Sequence, residues 1–221
     1  MSTTDHRPRI LVSDFDGTMT KYDFFDLVRQ ELPSVATRDY WKEYGDGKLT
    51  HFEALAGIFA SIGTDRPTLE NLVDRMELDL LLRDSVGRLR AAGWEIIIAS
   101  AGCDWYIHRL LGLAGVQLEV HAIPGVFAPE TGLQLSLPVD SPFFKRETGI
   151  DKSAIVRAAL ARDPNAAFAG DGRPDLAPAR LVQPGRRFAR GWLAHHLQKN
   201  GEVFRPFETW SQMADQLLEE S

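Results

Sequence analysis

The sequence predicts an α/β fold: a doubly wound, mostly parallel sheet with a small all-helical segment inserted after the first strand. Three observations carry that prediction. Short, β-branched apolar runs alternate with helical spacings through most of the chain, the pattern of a parallel sheet covered on both faces. Three of those runs stop abruptly on polar residues: Asp14/Asp16, Ser100 and Asp171/Asp175. Between the first run and the second, residues 21–82 show helical spacing only, too long a stretch for an ordinary crossover.

Taken in order, Ile10-Leu11-Val12 is long enough for a buried strand and too short for a helix. It ends at Asp14-Phe-Asp16-Gly-Thr-Met-Thr20, where acids at i and i+2 of an extended strand project to one side. A strand tip with paired carboxylates suits a cation or a nucleophile, and an Asp/Gly turn is the plainer alternative. Phe24, Phe25, Leu27 and Val28 predict a helix to about Leu32, stopped by Pro33. Tyr40 to Gly47 reads as a short helix closed by a glycine turn. Phe52, Leu55, Ala56, Phe59 and Ile62 predict the next helix, with Gly63 as its cap. Thr68 opens another, with Leu69, Leu72, Val73, Met76 and Leu80 on one face.

Beyond that the pattern changes. A helix over Asp84–Ala92, ended by Gly93, leads into a second buried strand, Trp94 to Ser100, and a helix containing Trp105, Ile107, Leu110 and Leu111. Val116 to Ala122 is a third strand, and residues 123–138 predict a β-hairpin. Asp151 N-caps a helix from Lys152 to Arg162, and Ala166–Gly170 is a strand running into Asp171-Gly-Arg-Pro-Asp175. The remainder reads as a strand at Leu181-Val182, a helix over Phe188–Gln198, an extended Val203-Phe204 and a terminal helix over Glu208–Glu219.

Composition sets the outer limits. The chain has 221 residues, 44% hydrophobic and 25% charged, ordinary globular values. A net charge of -6 argues against nucleic acid or an anionic membrane as partner, since both favour basic surfaces. One cysteine, Cys103, excludes an internal disulfide framework and fits a reducing compartment. With no apolar leader segment and no span-length apolar run, the expectation is a cytoplasmic protein, as a monomer or homodimer. Cys103 reads as a packing residue, and His51, His108, His121, His195 and His196 show no metal-binding spacing. Trp41, Trp94 and Trp192 read as packing residues, with Trp105 and Tyr106 as candidates to touch a ligand.

Strand ends of a parallel sheet face one edge, so Asp14, Asp16, Ser100 and Asp171/Asp175 can converge there, joined by Lys152 at a helix start. That set suits phosphoryl transfer. A carboxylate can attack phosphorus and divide one hard step into two. Mg²⁺ prefers oxygen ligands, which Asp14, Asp16 and Asp171 offer. Ser100 and the amides of Ala101 and Gly102 suit phosphate oxygens, and Lys152 offsets crowded negative charge. Asp23 and Arg173 are further candidate substrate contacts. Asp14-Phe-Asp16-Gly-Thr-Met-Thr20, Ile98-Ala-Ser100-Ala-Gly102, Gly149-Ile-Asp-Lys152 and Gly170-Asp171-Gly-Arg-Pro-Asp175 resemble, in order, the four motifs of the haloacid dehalogenase (HAD) superfamily.

The resemblance covers nearly all the chain. It implies a Rossmann-like core over residues 1–20 and 83–221 and a helical cap over 21–82. By it Asp14 is the nucleophile, and Asp16 is the acid/base whose backbone carbonyl also binds Mg²⁺. Ser100 binds phosphate, Lys152 steadies the pentavalent state, Asp171 ligates Mg²⁺ and Asp175 supports Lys152. An acid at position 16 favours a phosphatase over a dehalogenase. The implied function is a Mg²⁺-dependent phosphomonoesterase acting on a small phosphorylated metabolite through an aspartyl-phosphate. Transfer to an acceptor other than water, or non-catalytic phosphate sensing on the same fold, are the alternatives.

Within the superfamily the helical cap and the hairpin resemble the phosphoserine-phosphatase-like subgroup. The chain departs from phosphoserine phosphatases at Asp23, where they carry Glu, and at Ala56-Gly-Ile-Phe59, where their carboxylate-binding Arg falls. Arg173-Pro174 replaces a small residue and Asn. Phe188-Ala-Arg190 and Phe204 to Glu208 are similar to the methionine-salvage phosphatases that act on 2-hydroxy-3-keto-5-methylthiopentenyl-1-phosphate.

Overall fold

The computed structural model describes residues 8–32, 38–129 and 131–219. Strand β1 (Arg9–Ser13) is followed by four helices, α1 (Phe24–Glu31), α2 (Tyr40–Gly45), α3 (His51–Phe59) and α4 (Arg66–Asp74), with no named strand among them. Helix α5 (Leu82–Ala91) then leads to β2 (Trp94–Cys103), α6 (Asp104–Leu113) and β3 (Glu119–Ile123). Two hairpins follow, β4 (Gly125–Ala128) with β5 (Gly132–Leu135) and β6 (Phe144–Lys145) with β7 (Gly149–Ile150). The chain continues through α7 (Lys152–Arg162), β8 (Ala167–Gly170), α8 (Leu176–Ala179), β9 (Arg187–Ala189), α9 (Gly191–Lys199), β10 (Arg205–Pro206) and α10 (Trp210–Leu218).

The main sheet has six parallel strands in the order β10-β9-β8-β1-β2-β3. Its strands are buried on both faces, as a doubly wound sheet requires. Leu11, Ile96, Ile98 and Phe188 enter one apolar cluster, with α5 and α10. Ile10, Val12, Ile97 and Phe168 enter the other, with α7 and α9. Alternate residues of each strand thus feed opposite cores, and each buried aliphatic side chain contributes about 1.5–3 kcal/mol. The first cluster continues into the helical segment through Phe24, Leu55, Phe59, Leu69 and Val73.

Helix starts follow local chemistry. The side chains of Asp23, Asp39, Thr50, Asp65, Asp151 and Thr209 each accept a first-turn backbone N–H, worth about 1 kcal/mol apiece. The two chain crossings between helical segment and sheet run side by side. Thr20 and Leu78 form an antiparallel bridge, Lys21 N donates to Met76 O, and Asp79 N donates to Met19 O. Among the described residues no helix is long and apolar enough to cross a membrane.

Several boundaries differ from the sequence expectation. Helix α4 starts three residues early, because Asp65 caps it and Pro67 sits in its first turn; Leu80 lies outside it, 99% exposed. Helix α3 ends on Ala60 rather than Gly63. Strand β2 runs past Ser100 to Cys103 with an irregular register after Ala99, and β3 begins only at Glu119. Leu181-Val182 is not a strand; the strand is β9, and the helix expected from Phe188 begins at Gly191. The cause is Arg187, a buried arginine that sequence reading does not place inside a strand. Its guanidinium donates to Ala179 O at 2.7 Å and faces Glu202 at 3.3 Å. The expected stop at Pro33 lies outside the described residues.

Candidate active site

Parallel strand ends gather the polar residues at one edge of the sheet. Strand β1 ends at Ser13, and Asp14 N still donates to Ala169 O of β8. The base of this turn is held by α10, whose Trp210 Nε1 donates to Ser13 Oγ at 3.1 Å; that hydroxyl donates to Asp14 O at 2.7 Å. As expected of acids on one side of a strand tip, both carboxylates border one cleft, but they engage different partners. Asp14 turns towards Lys152, and Asp16 turns towards Ser100 and Tyr106.

Lys152 Nζ lies 2.8 Å from Asp14 Oδ1 and 2.7 Å from Asp175 Oδ1. The lysine is only 6% exposed and Asp175 is fully buried. Asp175 Oδ2 accepts the N–H groups of Asp171 and Gly172 at 3.1 and 3.0 Å, which fixes the Asp171 turn. Asp171 Oδ1 in turn accepts from Thr18 Oγ1 at 3.2 Å. Gly17 has φ +65, and a Cβ there would stand 2.4 Å from Asp171 Oδ2. Only glycine allows that turn and that approach together.

Asp16 Oδ2 accepts from Ser100 Oγ at 3.2 Å and from Tyr106 Oη at 3.1 Å. Ser100 Oγ also accepts Gly102 N at 2.9 Å, so it orders the Ala101-Gly102 turn rather than capping α6, whose N-cap Cys103 makes no side-chain cap bond. Burial, then the Asp16 charge, pushes the Tyr106 phenol well up, which keeps it a neutral donor.

The electrostatics are unbalanced. Burial first, then Asp175, raises Asp14 well above the usual carboxylate range despite Lys152. Asp171 is pushed up to about 7 by burial and by Asp175; Asp16 is raised by burial. Asp23, the N-cap of α1, is pushed up to about 8 by burial, then by Asp16 and Asp26. Burial pulls Lys152 down, yet Asp14 and Asp175 outweigh it and hold it above its ordinary value. One lysine among these acids leaves uncompensated negative charge, which a divalent cation would relieve. Oxygens of Asp14, Asp171 and Asp175 lie within 4.8 Å of one another, an all-oxygen donor set suited to Mg²⁺. The Asp16 side chain is outside this group, facing Tyr106.

Above the acids opens a cleft of about 430 Å³. Asp14, Asp16, Asp23, Ser100, Ala101, Gly102, Lys152, Asp171 and Arg173 all border it, so every predicted site residue except the fully buried Asp175 reaches one space. Asp23 is half-buried, and Arg173 is exposed with its guanidinium 5.2 Å from the Trp192 ring centroid. Sequence reasoning missed the opposite wall. Phe25, Trp41, Tyr44 and His51 line it, residues taken as core or surface because helical periodicity does not mark a half-buried face. Trp105 faces away, stacked on Phe127. Cys103 is buried, its thiol pushed up to about 12 by burial, as befits a packing residue.

No protein-family model matches the chain. It is 23% identical over 213 residues, 94% of its length and 95% of the other's, to a 2-hydroxy-3-keto-5-methylthiopentenyl-1-phosphate phosphatase of Exiguobacterium sibiricum. Among solved structures it is similar to a HAD-family hydrolase of Salmonella enterica serovar Typhi, with a TM-score of 0.67 at 19% identity. That match covers 97% of this chain and 72% of the other. A substrate-bound phosphoserine phosphatase superposes with a TM-score of 0.65 at 14% identity, over 94% and 97% of the two chains. The four motifs therefore sit on the fold they imply: this chain has the Rossmann-like α/β architecture of the HAD hydrolases.

Proposed function

We propose that the protein is a Mg²⁺-dependent phosphomonoesterase that acts on a small phosphorylated metabolite through a phosphoryl group carried on Asp14. The observation that carries the reading is the convergence of Asp14, Lys152, Asp171 and Asp175 within hydrogen-bond or ion-pair reach at the sheet edge, with Asp16 held separately. The similarity to two kinds of phosphatase agrees with it.

Asp14 attacks phosphorus, and the bond from phosphorus to the ester oxygen breaks. Asp16 gives its proton to the departing oxygen. Water then attacks the Asp14-bound phosphoryl group; Asp16 takes the water proton, the bond to Asp14 breaks and inorganic phosphate leaves. Two acids with separate partners can do these two jobs, and Asp14 on Lys152 and Asp16 on Ser100 and Tyr106 are so placed. Lys152 and the Ser100–Gly102 turn hold negative oxygens. Asp14, Asp171 and the Asp16 main-chain carbonyl would hold Mg²⁺, with Asp175 beside them; the ion would supply positive charge against the phosphoryl oxygens.

The helices of residues 21–82 serve as a cap that excludes water as it closes, moving about the paired crossings at Thr20 and Leu78. The buried thiol and the acidic composition fit a small-molecule enzyme of the cytoplasm. Purified protein should hydrolyse an aryl phosphate only with Mg²⁺, and Asp14→Asn should abolish the reaction. Undiminished turnover in that variant would refute the assignment. Product phosphate unchanged by added alcohols would exclude transfer to another acceptor.

A further inference from the structure

The wall facing the carboxylates is aromatic, and nothing in the phosphoryl chemistry requires it. Helix α1 brings Phe25, α2 brings Trp41 and Tyr44, and α3 brings His51. Their rings form one array: Phe25–Trp41 centroids 4.6 Å apart, Trp41–Tyr44 5.2 Å, Trp41–His51 5.7 Å and Tyr44–His51 5.6 Å. All four border the cleft that holds Asp14 and Lys152. Burial, then the nearby Lys152 charge, holds His51 below its usual range, so at neutral pH it is an uncharged ring.

The Tyr40 ring at the start of α2 packs directly on Gly57 of α3. A Cβ at Gly57 would stand 2.4 Å from the Tyr40 ring. A larger residue there would push the Tyr40 ring off α3. The array is therefore built into the packing of two helices. It is not a scatter of surface rings.

The charges around the wall point the same way. Arg29, which also borders the cleft, is exposed, with its guanidinium 5.4 Å from the Phe25 centroid. Lys152 is already engaged by two carboxylates. Asp26 borders the same space and would repel an anionic group on the organic part of a ligand. Aromatic faces and edges, by contrast, gain from covering apolar or planar surface.

We infer that the phosphomonoester taken by this cleft carries an uncharged, apolar or aromatic group on its alcohol, seated against Phe25, Trp41, Tyr44 and His51. Carboxylate-bearing esters such as phosphoserine offer this wall no apolar surface and are the poorer substrates. This rests on the phosphatase reading and adds the substrate class to it.

The test compares monoesters of primary alcohols, so that leaving-group chemistry is matched: 3-phenylpropyl phosphate, propyl phosphate, 3-aminopropyl phosphate and phosphoserine. The expected kcat/KM favours the phenylpropyl ester over phosphoserine by about 100-fold or more, mainly through KM. Trp41→Ala should cut the phenylpropyl-to-propyl ratio at least about tenfold, and Trp41→Phe should restore most of it. Thermal melting of both variants checks that they fold. Binding of 3-phenylpropyl phosphate is also measured by calorimetry, with and without Mg²⁺. If no ester is hydrolysed yet this ligand binds and Trp41→Ala weakens it, the phosphatase reading fails and the aromatic subsite stands. Equal ratios in wild type and Trp41→Ala, a preference for phosphoserine or the aminopropyl ester, or no binding at all would overturn the inference.

Discussion

The floor and the far wall of the cleft are built on opposite terms. The floor is buried, charged and tightly cross-linked: Lys152 and Asp175 are 6% and 0% exposed and bonded at 2.7 Å. The wall is half-exposed, its rings touching one another at 4.6–5.7 Å. Groups that must not move during bond-making are fixed by main-chain amides and a six-stranded sheet. Groups that only sort ligands stand on the short helices α1, α2 and α3, the last two in contact through Tyr40 and Gly57. Floor substitutions should therefore act whatever the shape of the ester's organic group, and wall substitutions should change only the ranking by that shape.

The largest effect is expected at Lys152. Lys152→Met leaves Asp14 and Asp175 facing each other without their cation. It should destabilise the metal-free protein by about 3–5 kcal/mol, read by denaturant unfolding, and lower kcat for all esters. A loss confined to one ester would erase the distinction between floor and wall. Next is the cation itself. Mg²⁺ at about 100 times its dissociation constant should stabilise the wild type by about 2.7 kcal/mol, and Asp171→Asn should remove most of that gain. An unchanged Mg²⁺-induced rise in Tm in this variant would place the ion elsewhere.

A smaller effect is expected at Tyr106, which donates to Asp16. Tyr106→Phe removes one hydrogen bond to a charged group, about 1.5–3 kcal/mol. It should slow esters with poor leaving groups more than activated aryl esters, which need no proton from Asp16. Equal slowing of both would make Tyr106 a packing residue.

The last effect, read only through pH, belongs to Asp23, at the boundary of the two regions. Its folded pKa, pushed up to about 8 by burial and neighbouring acids, exceeds its ordinary value, so the folded state binds this proton more tightly than the unfolded state. Stability conferred by the protonated group is present at low pH and lost as pH rises through that window to about 8. Asp23→Asn should flatten the decline in Tm of metal-free protein between pH 5 and 8. A slope identical to wild type would show that Asp23 is not perturbed.

What was legible in the sequence follows the same division. The floor was readable because most of its residues stand where an apolar run ends, and parallel topology carries all such ends to one edge. Asp14, Asp16, Ser100 and Asp171 were reached that way, and Lys152 as the first residue of a helix beside them. The partnership of Tyr106 with Asp16 was not, since it depends on how α6 leaves an irregular β2. The wall was not readable at all. Phe25 and Trp41 have the spacing of core residues, and His51 has no partner in sequence that would flag it. Nor does sequence show that the β4–β5 hairpin packs on α3, or that an arginine lies inside β9. Long-range packing decides these positions.

The central claim is that Asp14 itself carries the phosphoryl group, and one measurement reaches it directly. The Asp16→Asn variant, which lacks the group that activates water, is incubated with Mg²⁺ and an activated aryl phosphate, quenched in acid and mapped by peptide mass spectrometry. The account predicts an added phosphoryl mass on Asp14, absent when Asp14→Asn is introduced as well. A phosphoryl group on another residue, or one that persists in the double variant, would contradict it.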